Sequence, residues 1–306
     1  MTIESSSLPS PSVRQPIALL GAGGAGHALG VALNAAGFSV SAVWSRRRER
    51  AAELASLIPG SRVCSTPHDA VESGRLVVLA VPDSAIAPLC ASLTWRPGQA
   101  VIHLAGAFGR ELLAAAARAG AATGSFHPLQ TFAGAADPTA WQGIAVAIEA
   151  DPSLKGELLA LAQQLGSRPF LLSPEQRPLY HAAAVLAANG LVALAGVAAE
   201  LIAQATAADR ATALRSLFPL LSGVLANLDQ LGLPQALTGP VARAERETID
   251  RHIEALTHTA PTLLPLYRTL AQAMLPLARE RAAAAPERLV ALDDLERWLA
   301  SEEVAR

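Results

Sequence analysis

The sequence has little of what several classes of binding site require. Only 4% of its residues are aromatic and only 16% are charged, against a typical charged fraction of about 25%. The net charge is −2, and no run of five like charges occurs. These features exclude an extended nucleic-acid surface, a base-stacking platform and a polybasic membrane patch. Small, nearly neutral partners are favoured.

Cysteine and lysine are also scarce. The two cysteines, Cys64 and Cys90, fall in predicted core segments at a spacing that matches no metal motif, which predicts a reduced, cytoplasmic protein without a metal. All but one of the 24 basic residues are arginine, so a lysine-dependent mechanism has Lys155 as its one candidate. Residues 1–15 are rich in Ser and Pro and lack the basic and apolar regions of a signal peptide, so we predict a disordered tail.

One apolar stretch is long enough to suggest a membrane span. Residues Ala182 to Ala199 carry no charge, and eighteen apolar residues approach the length that crosses a bilayer. The stretch is rich in alanine and contains two glycines and Asn189. We therefore predict a buried helix of a globular protein and no membrane contact.

The pattern of apolar residues divides the chain into two parts. From Pro16 to Leu172, short β-branched runs alternate with amphipathic stretches, which is typical of a doubly wound parallel sheet. The predicted strands are Ile17 to Leu20, Val40 to Trp44, Arg62 to Cys64, Leu76 to Val81, Ala100 to Leu104, Thr123 to Phe126, Ile144 to Ile148 and Pro169 to Leu172. After Ser173 and Pro174 the pattern is almost entirely helical. The sequence thus predicts an α/β Rossmann domain over residues 16–172 and an all-α substrate and dimerisation domain over 173–306.

The first predicted strand runs into the pattern G-x-G-x-x-G at residues 21–26, and a helical stretch follows. In this context Gly21 permits a tight turn, Gly23 lets the backbone approach a pyrophosphate, and Gly26 lets the helix pack closely on the strand. The helix N-terminus then offers free N–H groups to the phosphates. The predicted cofactor-binding residues of this loop are Gly21, Gly23, Gly24, Ala25 and Gly26. The alternative is a glycine turn without a ligand.

The second predicted strand ends at Trp44 and is followed by Ser45, Arg46, Arg47 and Arg48. An acidic residue that accepts from a ribose 2′-hydroxyl is expected here in NAD-binding proteins, but no carboxylate occurs before Glu49. A hydroxyl and guanidinium groups suit a 2′-phosphate instead. The segment therefore favours NADP(H) over NAD(H), the alternative being that the arginines only begin a solvated helix.

Two further segments lie at the carboxyl ends of predicted strands, where open α/β sheets bind their ligands. They are Val81-Pro82-Asp83 and His103-Leu-Ala105-Gly106. We expect their backbone to face the ribose and nicotinamide side of a dinucleotide. Asp83 is alternatively the N-cap of the next helix, and His103 is alternatively a histidine of the core.

Several motifs occur together in an order that resembles a known family. They are the glycine fingerprint with Ser-Arg, Ala80-Val-Pro-Asp83, the His-x-x-Gly turn at residues 103–106, His127-Pro-Leu-Gln-Thr-Phe132, Tyr180-His181 before Asn189, and Leu237-Thr-Gly-Pro-Val-Ala-Arg243. Over residues 16 to about 275 the chain resembles predicted oxidoreductases that pair a Rossmann-like domain with a helical C-terminal domain of unknown function. That group is related to 6-phosphogluconate dehydrogenase and pyrroline-5-carboxylate reductase. The hexapeptide is the most specific of these motifs.

The resemblance implies a C-terminal domain of the 6-phosphogluconate dehydrogenase type that packs across the nicotinamide end and forms a homodimer. Relatives that oxidise hydroxy acids carry a lysine one turn before the asparagine, where this chain has Val185, so that mechanism is disfavoured. Family members tend to have Ser where this chain has Ala105, so any role of that hydroxyl is absent here.

Histidines remain as candidates for proton transfer. His127 resembles the His-Pro of prephenate dehydrogenases, and an unperturbed pKa near 6.5 suits proton exchange at neutral pH; alternatively it is a turn residue. On a helical wheel His181 and Asn189 lie about 80° apart, so both can face one cleft or can satisfy buried backbone groups. Thr238 and Arg243 flank a Gly-Pro turn, where the arginine either anchors a substrate carboxylate or forms a structural ion pair.

These observations together predict an NADP(H)-dependent oxidoreductase. Its substrate is expected to be a small carbonyl or imine compound that carries a carboxylate. Imine reduction suits the missing lysine, because a protonated imine accepts hydride without a further proton. The alternative is a non-catalytic NADP(H)-binding sensor or regulatory protein that uses the same pocket.

Overall fold

A computed structural model describes residues 15–132 and 137–301. The predicted disordered tail lies outside the described residues except for Gln15. The described part of the first half contains eight strands, which are β1 Ile17–Leu20, β2 Val40–Trp44, β3 Arg62–Val63, β4 Leu76–Leu79, β5 Ala100–His103, β6 Ala122–Pro128, β7 Ala145–Ala150 and β8 Arg168–Leu171. They form one sheet in the order β3-β2-β1-β4-β5-β6-β7-β8.

Within residues 15–132 and 137–171, six α-helices accompany the strands of this sheet. They are α1 Gly24–Ala35, α2 Arg48–Ser56, α3 Pro67–Ser73, α4 Asp83–Ser92, α5 Ala114–Arg118 and α6 Pro152–Gln164. A 3₁₀ turn, Arg110–Leu113, leads into α5. The order of the strands reverses between β1 and β4, which is the topological switch point at which doubly wound sheets bind ligands. The predicted Rossmann fold class is confirmed.

One strand departs from the predicted parallel arrangement. β7 runs antiparallel to β6, whereas all other neighbouring strands are parallel. A parallel pair requires a crossover, usually a helix. The described part of the connection between β6 and β7 contains no helix, so the chain returns beside β6 in the opposite direction.

The central strands of the sheet are buried on both faces, which explains their continuous apolar runs. Leu19 packs into one buried cluster and Leu20 into the other, because successive side chains of a strand point to opposite faces. In the same way, Ile102 packs into the cluster of Leu19 and Val101 into the cluster of Leu20. A strand with both faces covered shows no polar alternation in its sequence. The carboxyl ends of β1, β2, β4, β5 and β6 lie at one edge of this sheet.

The last strand is followed by helices alone in the described residues. These are α7 Arg177–Val185, α8 Leu191–Thr206, α9 Arg210–Leu231, α10 Pro240–Arg243, α11 Arg246–Thr259, α12 Leu264–Arg281 and α13 Pro286–Leu299. The chain forms two compact units, Met1–Val192 and Ala193–Arg306. The second unit has its own buried cluster, which includes Ile249, Leu275 and Leu292. The division at residue 172 into a cofactor-binding and a substrate domain stays a prediction.

The prediction that Ala182 to Ala199 is buried is wrong for the single chain. Leu186 and Val192 expose 75% and 74% of their surface, and only 6% of the most apolar window of the helical segment Pro174–Thr206 is buried. By length and composition alone this segment and α9 could cross a membrane. Apolar composition predicts that a helix will be covered, but it does not say which surface covers it.

Candidate functional site

The glycine loop after β1 is held by two close backbone approaches. Gly21 has a φ of 118°, and a Cβ at this position would stand 2.1 Å from the carbonyl oxygen of Ala80. A Cβ on Gly26 would stand 2.2 Å from the carbonyl oxygen of Gly21. Side chains at either position would therefore force the turn apart. In contrast, a Cβ on Gly23 would have no atom of the described residues within 4 Å, so none of these residues blocks approach to the backbone there.

The loop leads into the N-terminus of α1. Gly23 is the N-cap and provides no side-chain cap, so the N–H groups of Gly24, Ala25 and Gly26 have no partner within the helix. Such a helix end attracts anions. Gly24 also permits close packing, because a Cβ there would stand 2.4 Å from the carbonyl oxygen of Phe132, the last residue of the predicted hexapeptide motif.

A cleft of about 570 Å³ opens beside this loop. Its walls are contributed by the ends of β1, β2 and β4 and by α4, through Gly21, Ala22, Gly23, Trp44, Ser45, Arg46, Arg47, Ala80, Val81, Pro82, Ala85 and Leu89. Arg46 and Arg47 are exposed, and Glu49 is the first carboxylate after them, in the first turn of α2. Arg48 instead donates to Ser65 Oγ over 3.5 Å. The cleft is therefore apolar with a cationic end.

The predicted nicotinamide-side segments differ in their surroundings. Val81 and Pro82 line the cleft, whereas Asp83 is the first residue of α4, with Pro82 as the N-cap and no side-chain capping bond. The N-cap alternative for Asp83 is therefore wrong by one position. Its carboxylate still lies in the first turn, where it offsets the helix dipole.

His103 is a core residue and its side chain is committed to the fold. It is fully buried, its Nε2 lies 2.8 Å from the carbonyl oxygen of Gly109, and its Nδ1 accepts from the N–H of Ala105 over 3.1 Å. Burial lowers its pKa below the usual range. The side chain of His103 is therefore that of a core histidine, which was the alternative prediction. Its hydrogen bonds shape the turn that contains Gly106.

Gly106 brings two of the predicted catalytic histidines together. A Cβ on this residue would stand 2.6 Å from Nε2 of His127 and 2.5 Å from Nδ1 of His181. The two rings are edge to face, with their centroids 6.0 Å apart. Nδ1 of His181 is buried and has no hydrogen-bond partner in the described chain. Two imidazole nitrogens thus converge on one face of a glycine at the carboxyl ends of β5 and β6.

His127 differs from the prediction in its charge. Its Nδ1 lies 2.8 Å from the hydroxyl oxygen of Tyr180. Burial, followed by the charges of His181, Arg177 and His103, lowers the pKa of His127 to about 4. The expectation of an unperturbed pKa is therefore wrong, because a buried imidazole near the Arg177 guanidinium resists a positive charge. At neutral pH His127 is an uncharged imidazole.

A buried ion pair that the sequence analysis missed supports this site. Arg177 is only 1% exposed, and its Nε and Nη2 donate to Oε2 of Glu149 over 3.2 and 3.1 Å. Its Nη1 donates to the carbonyl oxygen of Gly106 over 3.4 Å. Arg177 begins α7, which carries Tyr180 and His181, so the pair ties that helix to β7 and to the Gly106 turn. A lone carboxylate in the apolar strand sequence of β7 was the available signal.

Asn189 lies farther along the same helical segment and is exposed. A π-helical turn, Leu186–Gly190, separates α7 from α8. The predicted angle of about 80° between His181 and Asn189 on a helical wheel assumes an uninterrupted α-helix. That angle does not hold across this turn. Nothing in the sequence signalled the change of period, although π turns often occur at functional sites.

Thr238 and Arg243 belong to the second compact unit. Thr238 is exposed in the turn before α10. Arg243 Nε and Nη2 donate to the two carboxylate oxygens of Glu245 over 2.6 and 3.0 Å. Of the two alternatives for Arg243, the structural ion pair is therefore the one present, and a carboxylate anchor there would require that pair to open.

Comparisons of the sequence with protein families match most of the chain. A family described as a Rossmann-like domain matches residues 3–128, and a family described as a domain of unknown function (DUF2520) matches residues 144–274. No curated protein matches the sequence.

Solved structures with the same fold cover nearly the whole chain. A candidate NADP oxidoreductase from Bacteroides fragilis is 27% identical, with a TM-score of 0.68 over 85% of this chain and 97% of that chain. A reductive aminase from Aspergillus terreus, solved with NADPH and ethyl levulinate, is 18% identical, with a TM-score of 0.59 over 89% of this chain and 94% of that one. An imine reductase from Myxococcus stipitatus, solved with NADP⁺, is 20% identical, with a TM-score of 0.55 over 89% and 95%. At these lower identities the likeness is one of fold.

The family matches and the fold agree with the resemblance that the motifs indicated. Each half of the chain matches its own domain family, in the predicted order, and the sheet has the Rossmann-type strand order. The chain therefore combines a match to the Rossmann-like family over residues 3–128 with a match to the domain of unknown function over residues 144–274, as the motifs implied.

Proposed function

We propose that the protein is an NADP(H)-dependent oxidoreductase that acts on a small carbonyl or imine compound. The observation that carries this proposal is the cleft at the switch point of the sheet, which has a glycine loop at one side and Ser45, Arg46 and Arg47 at its end. Relatives of the same fold are described as an NADP oxidoreductase and as enzymes bound to NADPH or NADP⁺, which supports the choice of cofactor.

The residues of the cleft fit a dinucleotide phosphate. The N–H groups at the start of α1 and the open backbone at Gly23 suit a pyrophosphate. Ser45 and Arg46 suit a 2′-phosphate, and Val81 and Pro82 bring backbone to the ribose side. When bound, the cofactor supplies or accepts a hydride.

The proposed substrate site is the face of Gly106 on which His127 and His181 converge. The ring nitrogens of His127 and His181 can hold a polar substrate atom there, because an imidazole nitrogen either donates or accepts a hydrogen bond. The pair of Arg177 and Glu149 fixes the turn and the start of α7. Arg243 is not assigned as an anchor for a substrate carboxylate, because it already binds Glu245.

The preference for NADPH tests the cofactor assignment. We expect tighter binding of NADPH than of NADH, and we expect Arg46→Asp to remove at least about tenfold of that preference, because a charge-assisted contact contributes roughly 1.5–3 kcal/mol. Fluorescence titration of both cofactors measures the ratio. Arg48→Asp is the matched control, since Arg48 interacts with Ser65 and should leave the ratio unchanged. Equal affinities of the unmutated protein for the two cofactors contradict the assignment.

We also propose that the protein is a homodimer that covers the exposed apolar side chains of α7, α8 and α9. Large exposed apolar patches normally mark interfaces. Light scattering at micromolar concentration without detergent is expected to give the mass of two chains, and Leu186→Glu with Val192→Glu is expected to give one. Leu57→Glu, at a 41% exposed leucine outside these helices, should remain dimeric. A monomeric unmutated protein, or one that requires detergent, refutes the dimer.

A further inference from the structure

Tyr180 is connected to the proposed substrate site through the ring of His127. Its hydroxyl lies 2.8 Å from Nδ1 of His127. The other nitrogen of that ring, Nε2, lies on the face of Gly106. A single imidazole therefore connects a phenol on one side with the substrate site on the other.

The surroundings of His127 make it a poor acid by itself. Among the residues that the structure describes, the charged or titratable groups that face it are Tyr180, His181, Arg177 and His103, and none of these is a carboxylate. With a pKa of about 4, roughly one molecule in a thousand carries an imidazolium at pH 7. An uncharged imidazole can still release a proton from Nε2 if it receives another at Nδ1.

Tyr180 can supply that second proton. Burial raises the pKa of Tyr180 to about 12, so the side chain is a phenol at neutral pH and its O–H can donate to Nδ1. This arrangement leaves the proton of His127 on Nε2, toward Gly106. An alkoxide is far more basic than a tyrosinate, because an alcohol, like water, is a much weaker acid than a phenol. Transfer from the phenol through the ring to a developing alkoxide is therefore downhill.

We propose that Tyr180 and His127 form a proton relay that ends at the oxygen of a bound carbonyl substrate; this inference rests on the proposed function. As the carbonyl carbon gains a hydride from a dihydronicotinamide and the carbon–oxygen π bond opens, the oxygen takes the Nε2 proton while Nδ1 takes the phenol proton. After the alcohol leaves, a proton from water enters at Nε2 and the Nδ1 proton returns to Tyr180. His127 is uncharged at every stage.

The relay selects a class of substrate. A ketone or aldehyde needs a proton at oxygen, so its reduction uses both groups. An imine that is already protonated needs none after the hydride arrives. We therefore assign carbonyl compounds as the substrates for which Tyr180 matters.

Nitrogen NMR of ¹⁵N-histidine-labelled protein, without cofactor or substrate, tests the relay independently of activity. His127 is expected to show the uncharged tautomer with the proton on Nε2 from pH 5 to 9. Tyr180→Phe should shift the His127 nitrogens toward a mixture of tautomers. Tyr267→Phe is a matched control, because Tyr267 forms the same kind of bond to Nδ1 of His252, at 2.7 Å in the second unit, and should leave the His127 signals unchanged. A proton on Nδ1, or a titration of His127 near pH 6.5, overturns the relay.

Kinetics separates failure of the relay from failure of the function. With NADPH and a panel of keto acids, ketones and cyclic imines, Tyr180→Phe should lower kcat for carbonyls by about 10²-fold, with KM and NADPH affinity within a few fold. The unmutated rate should be flat from pH 5 to 8, whereas the variant's rate should fall as pH rises, because only imidazolium can then donate. Normal carbonyl turnover by Tyr180→Phe contradicts the relay alone. The expected tautomer without any turnover contradicts the proposed function, and with it the substrate end of the relay.

Discussion

Replacing His127 with asparagine is expected to lower turnover by about 10²- to 10⁴-fold while NADPH affinity stays within a few fold. His127 lies near the end of β6, and none of the cleft residues that we assign to the cofactor is altered. Asparagine can still form a hydrogen bond to Tyr180, but an amide does not pass a proton from one side to the other. Binding and catalysis should therefore separate in this variant.

The measurement is stopped-flow oxidation of NADPH by both proteins, across keto acids and cyclic imines between pH 5 and 8. The loss should be large for ketones and small for imines that are already protonated. His68→Asn is the matched control, since His68 is exposed on α3 and should keep the full rate. Unchanged rates and pH profiles for every accepted substrate remove His127 from the mechanism and leave His181 as the next candidate. A non-catalytic sensor would show no turnover in any of the three proteins.

The features that were predictable from sequence are those that depend on neighbouring residues. Buried parallel strands require continuous apolar runs, so the bounds of β1 and β2 agree with prediction. The glycine loop was predictable because the φ of Gly21 and the contact of Gly26 with the loop each admit no side chain. These constraints of chain geometry are local, and they limit directly which residue types can occur at each position.

The features that were not predictable depend on contacts between distant residues. The low pKa of His127 arises from burial and from His181 and Arg177, which approach it only after folding. The bond between His127 and Tyr180 spans 53 positions, and the bond between Arg177 and Glu149 spans 28. Composition identified an apolar helix at residues 182–199 without identifying the surface that covers it. The location of the site was therefore largely predictable from the sequence. Its chemistry depends more on the tertiary structure.

The stability of the site depends on the buried ion pair of Glu149 and Arg177. Glu149 is 8% exposed and accepts two hydrogen bonds from Arg177 through Oε2, while its Oε1 lies 3.6 Å from Nε of Arg110. Arg110 also pairs with Asp151, which accepts from the N–H of Thr123 over 2.6 Å. The carboxylate of Glu149 thus faces two guanidinium groups, of which that of Arg177 is almost completely buried.

Glu149→Gln is therefore expected to lower the free energy of unfolding by about 3–5 kcal/mol, because it leaves the charge of Arg177 buried without its partner. An amide of the same shape keeps one acceptor oxygen but presents N–H donors to a neighbouring guanidinium. Urea unfolding followed by circular dichroism measures the loss. Glu53→Gln is the control, since Glu53 and Arg50 form an exposed pair whose removal should change little. Arg177→Met combined with Glu149→Leu should recover most of the stability while catalysis stays impaired, because the bond to the Gly106 carbonyl is lost. A loss below about 1 kcal/mol in Glu149→Gln would mean that this pair does not hold α7 against the sheet.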